Sequence, residues 1–522
     1  MTHSEQKIYR FGEAPIWELQ RAYYEQQGIR AWQSEEVPQY ITSNPMIAIA
    51  YAEIIFGFLQ DRARLGYTSE SEPVTILELG AGSGRLAFHV LKELCELRDY
   101  SGIPISPFRY VMSDLAIQNV TYWQQHRSLY PFVEQGVLDF AQFDAVTDTE
   151  LSLTQSGIRI RRGDLQQPLL IIANYFFDSI PQELIYVDEN KIYECMVSLR
   201  YPDEAAELSA SDRLKSVIPE YHYRHYRRAA EYEQESYPYR EIIELYLHKL
   251  EDSHVLFPAI GLQCLDRLNL LSREGFVLLT ADKGDHRLES WEYNEPPKLI
   301  LHGSFSLTAN YHAIGHVFEQ KGAMCLFTSH PYNHLNIGCI LMLSEPRSYG
   351  NTRLAYRRFV ERFGPDDFFS IKEWFDAHLD HMEIHQLLSF WRLGGYDAQI
   401  FTQSAKRFSD LLSSCEEEEL ADIRQGILLM WAGYYPMEVN RDLALDCATL
   451  LYQMEMFKDA LQFFEQTQNE YKNDVSVLYD MAICYYEIGE EDAAEEFAQK
   501  SIRIAPEHEG ASALIKLLKE YT

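Results

Sequence analysis

Three acids and a run of glycines stand in this chain where they could hold a small cationic ligand. Residues 74–84 read Val-Thr-Ile-Leu-Glu-Leu-Gly-Ala-Gly-Ser-Gly. An aliphatic stretch runs straight into a turn, and Glu78 lies two residues ahead of Gly80. Gly80, Gly82 and Gly84, with only Ala81 and Ser83 between them, have no Cβ to keep a ligand away from the backbone. A phosphate-binding loop needs Lys-Ser or Lys-Thr after its last glycine, and here Arg85 and Leu86 follow. A dinucleotide fingerprint needs a glycine three positions after its second, and that position is Arg85.

The turn that remains is the one used for S-adenosylmethionine (SAM). That cofactor carries no phosphate, so backbone amides and an acid serve it better than an anion nest. Glu78 can receive its amino group, directly or through water. The competing reading is a glycine-rich turn with no ligand. Asp114, at the end of Phe108–Ser113, can accept from both ribose hydroxyls, or act as an ordinary helix N-cap. After Val137–Ala141, Asp144 can accept from an adenine amine while Phe143 covers the ring; a solvated loop aspartate is the alternative. Leu169–Ala173 ends in Asn174-Tyr175-Phe176-Phe177-Asp178. The Asn174 carbonyl can accept from a target N–H, and an aromatic face can stabilise the cation that develops as a C–N bond forms. Asn174, Phe177 and Asp178 are the catalytic candidates, Asn174 also touching cofactor; aromatic core packing would explain Phe176 and Phe177 equally.

These residues need a frame. Val74–Leu77, Phe108–Ser113, Val137–Ala141, Leu169–Ala173 and Phe276–Ala281 read as buried parallel strands. Arg85–Leu97 carries Leu86, Val90, Leu91, Leu94 and Leu97 at helical spacing. Met324–Thr328 and Ile337–Leu343 read as a terminal antiparallel pair, completing an α/β sheet of seven strands. Tyr221–Arg228 interleaves aromatics with arginines, a pattern that can bind nucleic acid. A net charge of −33 speaks against that and against anionic membranes, leaving a helical face or substrate lid. Eight scattered cysteines without a Cys-x-x-Cys indicate no metal site and fit a reducing, cytoplasmic setting. His330 and His334 flank Pro331 and suggest no metal either. The N-terminus lacks an apolar signal core, and no apolar run approaches the ~18 residues of a membrane span.

Glu78–Gly84, Ala173-Asn-Tyr-Phe-Phe-Asp-Ser-Ile-Pro181 and Gly303-Ser-Phe-Ser-Leu-Thr-Ala309 together resemble the MidA-like branch of class I SAM-dependent methyltransferases. The resemblance spans roughly residues 30–345, and Tyr40–Pro45 is similar to the family's segment that folds over the cofactor. It implies a Rossmann-like seven-stranded sheet with a helical insertion, SAM as cofactor, and methylation of an arginine, as in the mitochondrial members that act in respiratory complex I assembly. Where the family has Asn-Glu this chain has Asn174-Tyr175, which removes a carboxylate that could pair with a guanidinium. The family's Thr-Ala-His is Thr308-Ala309-Asn310.

Residues 441–506 hold two 34-residue repeats. Leu478, Met481, Ala482, Tyr485, Gly489, Ala494 and Pro506 fall on tetratricopeptide (TPR) positions. Ala444, Cys447, Ala448, Leu451, Ala460 and Phe464 take the matching places one repeat earlier. Phe390–Leu412 and Ala511–Tyr521 can supply neighbouring helices. From Cys415 onward there are 23 acidic and 8 basic residues, a net of −15. That suits a basic peptide or protein partner, or simply a solvated surface. The expected organisation is an N-terminal helical segment and cofactor lid (1–72), a methyltransferase domain (73–345, insertion about 200–272), a helical linker (346–440) and an all-α TPR-like domain (441–522). The expected function is N-methylation of a protein, arginine included, recruited by the repeats. An inactive methyltransferase-fold scaffold and a small-molecule methyltransferase are the alternatives.

Overall fold

The computed structural model describes residues 7–34, 36–67, 72–201, 209–228, 232, 234–437, 442–467 and 474–521. The chain divides into two compact units, Met1–Ser370 and Ile371–Thr522.

The first unit is organised by a seven-stranded sheet. Its order is Met324–Leu326, Asn336–Met342, Phe276–Asp282, Leu169–Asn174, Val74–Leu79, Phe108–Asp114, Leu138–Gln142. Asn336–Met342 runs antiparallel to both its neighbours, and the remaining pairings are parallel. The continuous aliphatic runs are explained by burial on both faces: every residue of Val74–Leu79 and of Phe276–Asp282 is buried. Val74–Leu79 pairs with Phe108–Asp114 on one side and Leu169–Asn174 on the other. The strand order therefore reverses direction beside it, and a doubly wound sheet opens its ligand crevice at the carboxyl ends there.

Arg85–Ser101 starts directly after Gly84 and buries Leu86, Val90, Leu91 and Leu94. Pro45–Arg64 has proline at its first position, and the Asn44 side chain accepts from the amides of Met46 and Ile47. The helical stretch Tyr40–Arg64 corrects one expectation. By length and composition it could cross a membrane, but 78% of that window is buried inside the fold, as in a core helix.

The insertion carries the expected helices, Ala210–Ser216, Arg240–Lys249 and Ala259–Asn269, and adds strands to them. Glu183–Asp188, Lys191–Arg200, Ser253–Phe257 and Tyr9–Arg10 form a second antiparallel sheet, with Ile218–Arg228 added to Lys191–Arg200. Its hairpin turns at Glu189-Asn190, both at positive φ (46° and 54°), the backbone of a tight two-residue hairpin loop. Glu-Asn is a weaker signal than Asn-Gly, so the hairpin was masked in the sequence. The Tyr221–Arg228 stretch is thus a strand rather than a helical face. Tyr221 donates to the Pro297 carbonyl at 2.7 Å.

The second unit is helical. Leu443–Gln453 with Phe457–Phe464, and Val475–Glu487 with Glu491–Ile504, are the two repeats, and Glu509–Tyr521 packs after them. Ala482, Ala494, Ala498 and Ala511 are fully buried, and their small side chains let these helices approach closely. Ile384–Leu393, Ala398–Leu411 and Glu417–Ala432 precede the repeats.

A close approach also fixes the first unit. A Cβ added at Gly57 would meet the Asn351 backbone at 2.9 Å. Gly57→Val should therefore cost about 2 kcal/mol through overpacking, measured by chemical denaturation. An unchanged midpoint would show that Pro45–Arg64 and Gly350–Tyr356 can move apart freely.

Candidate functional site

A cavity of about 390 Å³ lies at the strand ends of the first unit. One half is built on Val74–Leu79 and its turn. Gly80, Gly82 and Gly84 take positive φ (63°, 54° and 80°), which glycine adopts without a Cβ clash. Trp123 Nε1 donates to the Gly82 carbonyl at 3.1 Å, and Ser113 Oγ to the Glu78 carbonyl at 2.6 Å, so the turn is held from below. A Cβ at Gly82 would come within 2.8 Å of Trp32.

Glu78 is 4% exposed, and one carboxyl oxygen accepts from Tyr110 at 2.9 Å. Burial is the main reason its pKa is pushed up to about 8; Asp114 adds to the rise and the Tyr110 hydrogen bond opposes it. A cation placed beside Glu78 would reverse that shift. Asp114 accepts the Ala116 amide on one oxygen (2.9 Å) and the Gly82 amide on the other (3.1 Å). Burial raises its pKa as well. Each oxygen keeps acceptor capacity, as recognition of a vicinal diol requires. Leu115 and Phe143 supply apolar walls. Glu78 for an amino group, Asp114 for a ribose, Phe143 for a base and glycines for close backbone approach together fit SAM.

The other half lies at the ends of Leu169–Asn174 and Phe276–Asp282. Asn174, Tyr175, Phe176, Asp178, Lys283, His302 and Ser306 line it. Asp178 is 4% exposed and Asp282 is fully buried; the Asp178 amide donates to Asp282 Oδ2 at 3.2 Å. Burial raises the pKa of both carboxyls, and a hydrogen bond from Asp282 and the nearby Lys283 charge moderate the rise at Asp178.

Ile16–Gln27 roofs the cavity. The Gln20 amide donates to the Ser179 carbonyl (2.7 Å) and its carbonyl accepts from the Phe305 amide (3.0 Å). Arg21 pairs with Asp144 at 2.6 Å, and Tyr24 shares a hydrogen bond with Ser304 at 2.8 Å.

The structure therefore gathers Glu78, Gly80, Ala81, Gly82, Asp114, Phe143, Asp144, Asn174 and Asp178 around one cavity. Gly84 sits behind it, as the N-cap of Arg85–Ser101. One role needs correction, and another gains a partner. Asn174 Oδ1 accepts from the buried Tyr51 hydroxyl at 2.6 Å and keeps a second lone pair for another donor. Phe177 does not face the cavity: it is fully buried against Gly261 and Tyr311. Phe176 lines the wall instead. The strand ends at Asn174, and Tyr175 at φ 46° turns the chain, so strand alternation does not extend to these aromatics. Asp144 faces the cavity, but one oxygen holds Arg21 and the other accepts the Val146 amide at 2.9 Å. Sequence reasoning missed Asp282 and Lys283, although the strand-end rule that found Asp114 would have reached them. It also missed the roof residues Gln20, Arg21 and Trp32, which no motif marks.

The raised Glu78 pKa carries a linkage. The folded chain keeps this proton to about pH 8, whereas the ordinary value is 4.5. Between those values the folded state binds more protons than the unfolded one, so stability is present at low pH and lost as the pH rises. The melting temperature of the ligand-free protein should fall more from pH 5 to pH 8 than that of Glu78→Gln. Parallel curves would show that Glu78 is ionised throughout.

Residues 58–279 match a family described as S-adenosyl-L-methionine-dependent methyltransferases, and residues 440–518 match the tetratricopeptide repeat. No curated protein matches the chain. Among solved structures it is similar to an uncharacterized superfamily protein from Burkholderia thailandensis, at 15% identity, covering 61% of this chain and 73% of that one, with a TM-score of 0.38. A superfamily member from the same organism bound to S-adenosyl-homocysteine matches at 15% identity, 62% and 74% coverage, and a TM-score of 0.39. Residues 58–279 are thus similar to SAM-dependent methyltransferases, and tetratricopeptide repeats follow at residues 440–518.

Proposed function

We propose that this enzyme transfers the methyl group of SAM to a side-chain nitrogen of a partner protein, with arginine as the acceptor residue, and that the repeats recruit that partner. The observation that carries this reading is the division of the cavity. Acids suited to the cofactor lie at one end, and a buried carboxyl, Asp178, lies at the other. Asp178 stands three residues beyond Tyr175, in the same turn, and supplies the negative charge that tyrosine removes at that position. A carboxylate there favours a guanidinium or amine over a neutral metabolite.

When bound, SAM supplies a sulfonium methyl with a good leaving group. The protein's own part is to hold, orient and dry the site. Glu78 anchors the amino group, Asp114 the ribose and Phe143 the base. Tyr51 fixes Asn174, so the strand end beneath the transferred methyl is rigid. Gln20 and the Arg21–Asp144 pair fasten the roof that excludes water. Aromatic faces at Tyr175 and Phe176 line the path of the developing cation. Repeat units of this type expose extended binding surfaces. The excess of acids after Cys415 suits a basic partner segment, which is also the kind that carries arginine. Eight thiols without a pairing motif fit action in the cytoplasm.

Incubation with methyl-labelled SAM and cell-extract protein should label arginine side chains, located by peptide mass spectrometry. Removing residues 441–522 should leave S-adenosylhomocysteine affinity unchanged and reduce protein labelling at least tenfold. Labelling confined to small molecules, or unaffected by the truncation, would contradict the recruiting role.

A further inference from the structure

We infer that Asp178 and Asp282 share one proton and act together as the base for methyl transfer, Asp178 receiving the proton that the acceptor nitrogen loses and Asp282 positioning it. This rests on the nitrogen-methylation reading above and names the group that the reaction needs at that site.

The sheet register forces the two acids together. Phe276–Asp282 pairs in parallel with Leu169–Asn174, with Ala281 opposite Asn174. Asp282 therefore ends its strand beside the turn that carries Asp178. Both Asp282 oxygens accept backbone amides, from Asp178 at 3.2 Å and Lys283 at 2.7 Å. Asp282 is thereby pinned. Asp178 Oδ1 is buried and meets no hydrogen-bond partner among the described residues, while Asp178 itself lines the acceptor half of the cavity. Two carboxylates this close in a dry site cannot both ionise, so one proton lies between them. The surroundings agree: Lys283 is a cation beside the pair, and the hydroxyls of Tyr24, Tyr175 and Tyr311 stand around it. These tyrosines are held neutral by burial. His302 is the competing base, but both its ring nitrogens face serine hydroxyls, Ser306 at 3.2 Å and Ser304 at 3.3 Å.

The step balances. The nitrogen lone pair forms the C–N bond as the C–S bond breaks, and that pair goes to sulfur, leaving a neutral thioether. A guanidinium acceptor begins and ends with one positive charge, because it releases one proton. Asp178 takes that proton, and the acid pair passes from one shared proton, net −1, to two protons and no charge. The sulfonium charge is thereby cancelled within the cavity.

The test uses the full-length chain with tritiated SAM and cell-extract protein. Asp178→Asn should keep S-adenosylhomocysteine affinity within threefold and lower kcat by about 10²–10⁴. Asp282→Ala removes a donor that favours the Asp178 carboxylate, so the acid limb of the rate–pH profile should move to higher pH by about one unit. Asp282→Asn, which can still donate, should restore most of that shift. Infrared spectra at pH 6 read the pair without any turnover: Asp282→Asn should show one protonated carboxyl fewer than the parent. Superimposable pH profiles with full kcat in the variants, or an unchanged carboxyl band, would overturn the inference. A parent enzyme that shows the band and labels no protein nitrogen would instead overturn the functional reading.

Discussion

Everything at the candidate site depends on carboxyl groups held out of water at the ends of parallel strands. Glu78 and Asp114 end adjacent strands on one side of the crevice, and Asp178 and Asp282 sit on the other. Each would be unfavourable as an unpaired buried charge. The fold manages this with a few hydrogen bonds: Tyr110 on Glu78, backbone amides on Asp114, and backbone amides plus a shared proton on the Asp178–Asp282 pair. What remains unsatisfied is a demand for positive charge, and a sulfonium cofactor with a cationic acceptor supplies that charge at both ends. The same demand explains why the roof matters. In open water these acids would ionise and attract cations weakly; under Trp32, Gln20 and Tyr24 each electrostatic contact is stronger.

How much of this could be read from the residues follows from which constraints are local. Glu78, the three glycines and Asp114 were legible because a buried strand leads directly into each, and strand ends in a doubly wound sheet face the ligand. Asp282 follows the same logic but was passed over, because the apolar run was read as ending at Ala281. Phe177 was assigned to the cavity in place of Phe176 because it stands at an Asn-x-x-Phe spacing from Asn174. The positive φ of Tyr175, a property no propensity for tyrosine suggests, resets the alternation there. Asn174 lines the cavity as expected, but its partner Tyr51 lies 123 residues earlier, so that hydrogen bond was invisible in the sequence.

The insertion and the roof show the opposite case, where tertiary context decides. Glu183–Arg200 is rich in apolar residues, yet its turn is Glu-Asn, and its outer strand, Tyr9–Arg10, comes from the opposite end of the unit. The roof helix Ile16–Gln27 buries Trp17 and Tyr23 like any amphipathic helix. Its functional content lies in Gln20 and Arg21, whose partners are distant in sequence. The repeats were legible throughout, since an unbroken 34-residue register is a strictly local signal repeated.

The central claim is that buried acids and glycines at the strand ends form a working cofactor site. Calorimetric titration of the folded, full-length protein with S-adenosylhomocysteine tests it most directly. The account predicts one site per chain with micromolar affinity or better, lost in Gly82→Val, whose Cβ would meet Trp32 and strain a backbone at φ 54°. A folded protein that binds no S-adenosylhomocysteine, or a Gly82→Val variant that binds it as well as the parent, would contradict it.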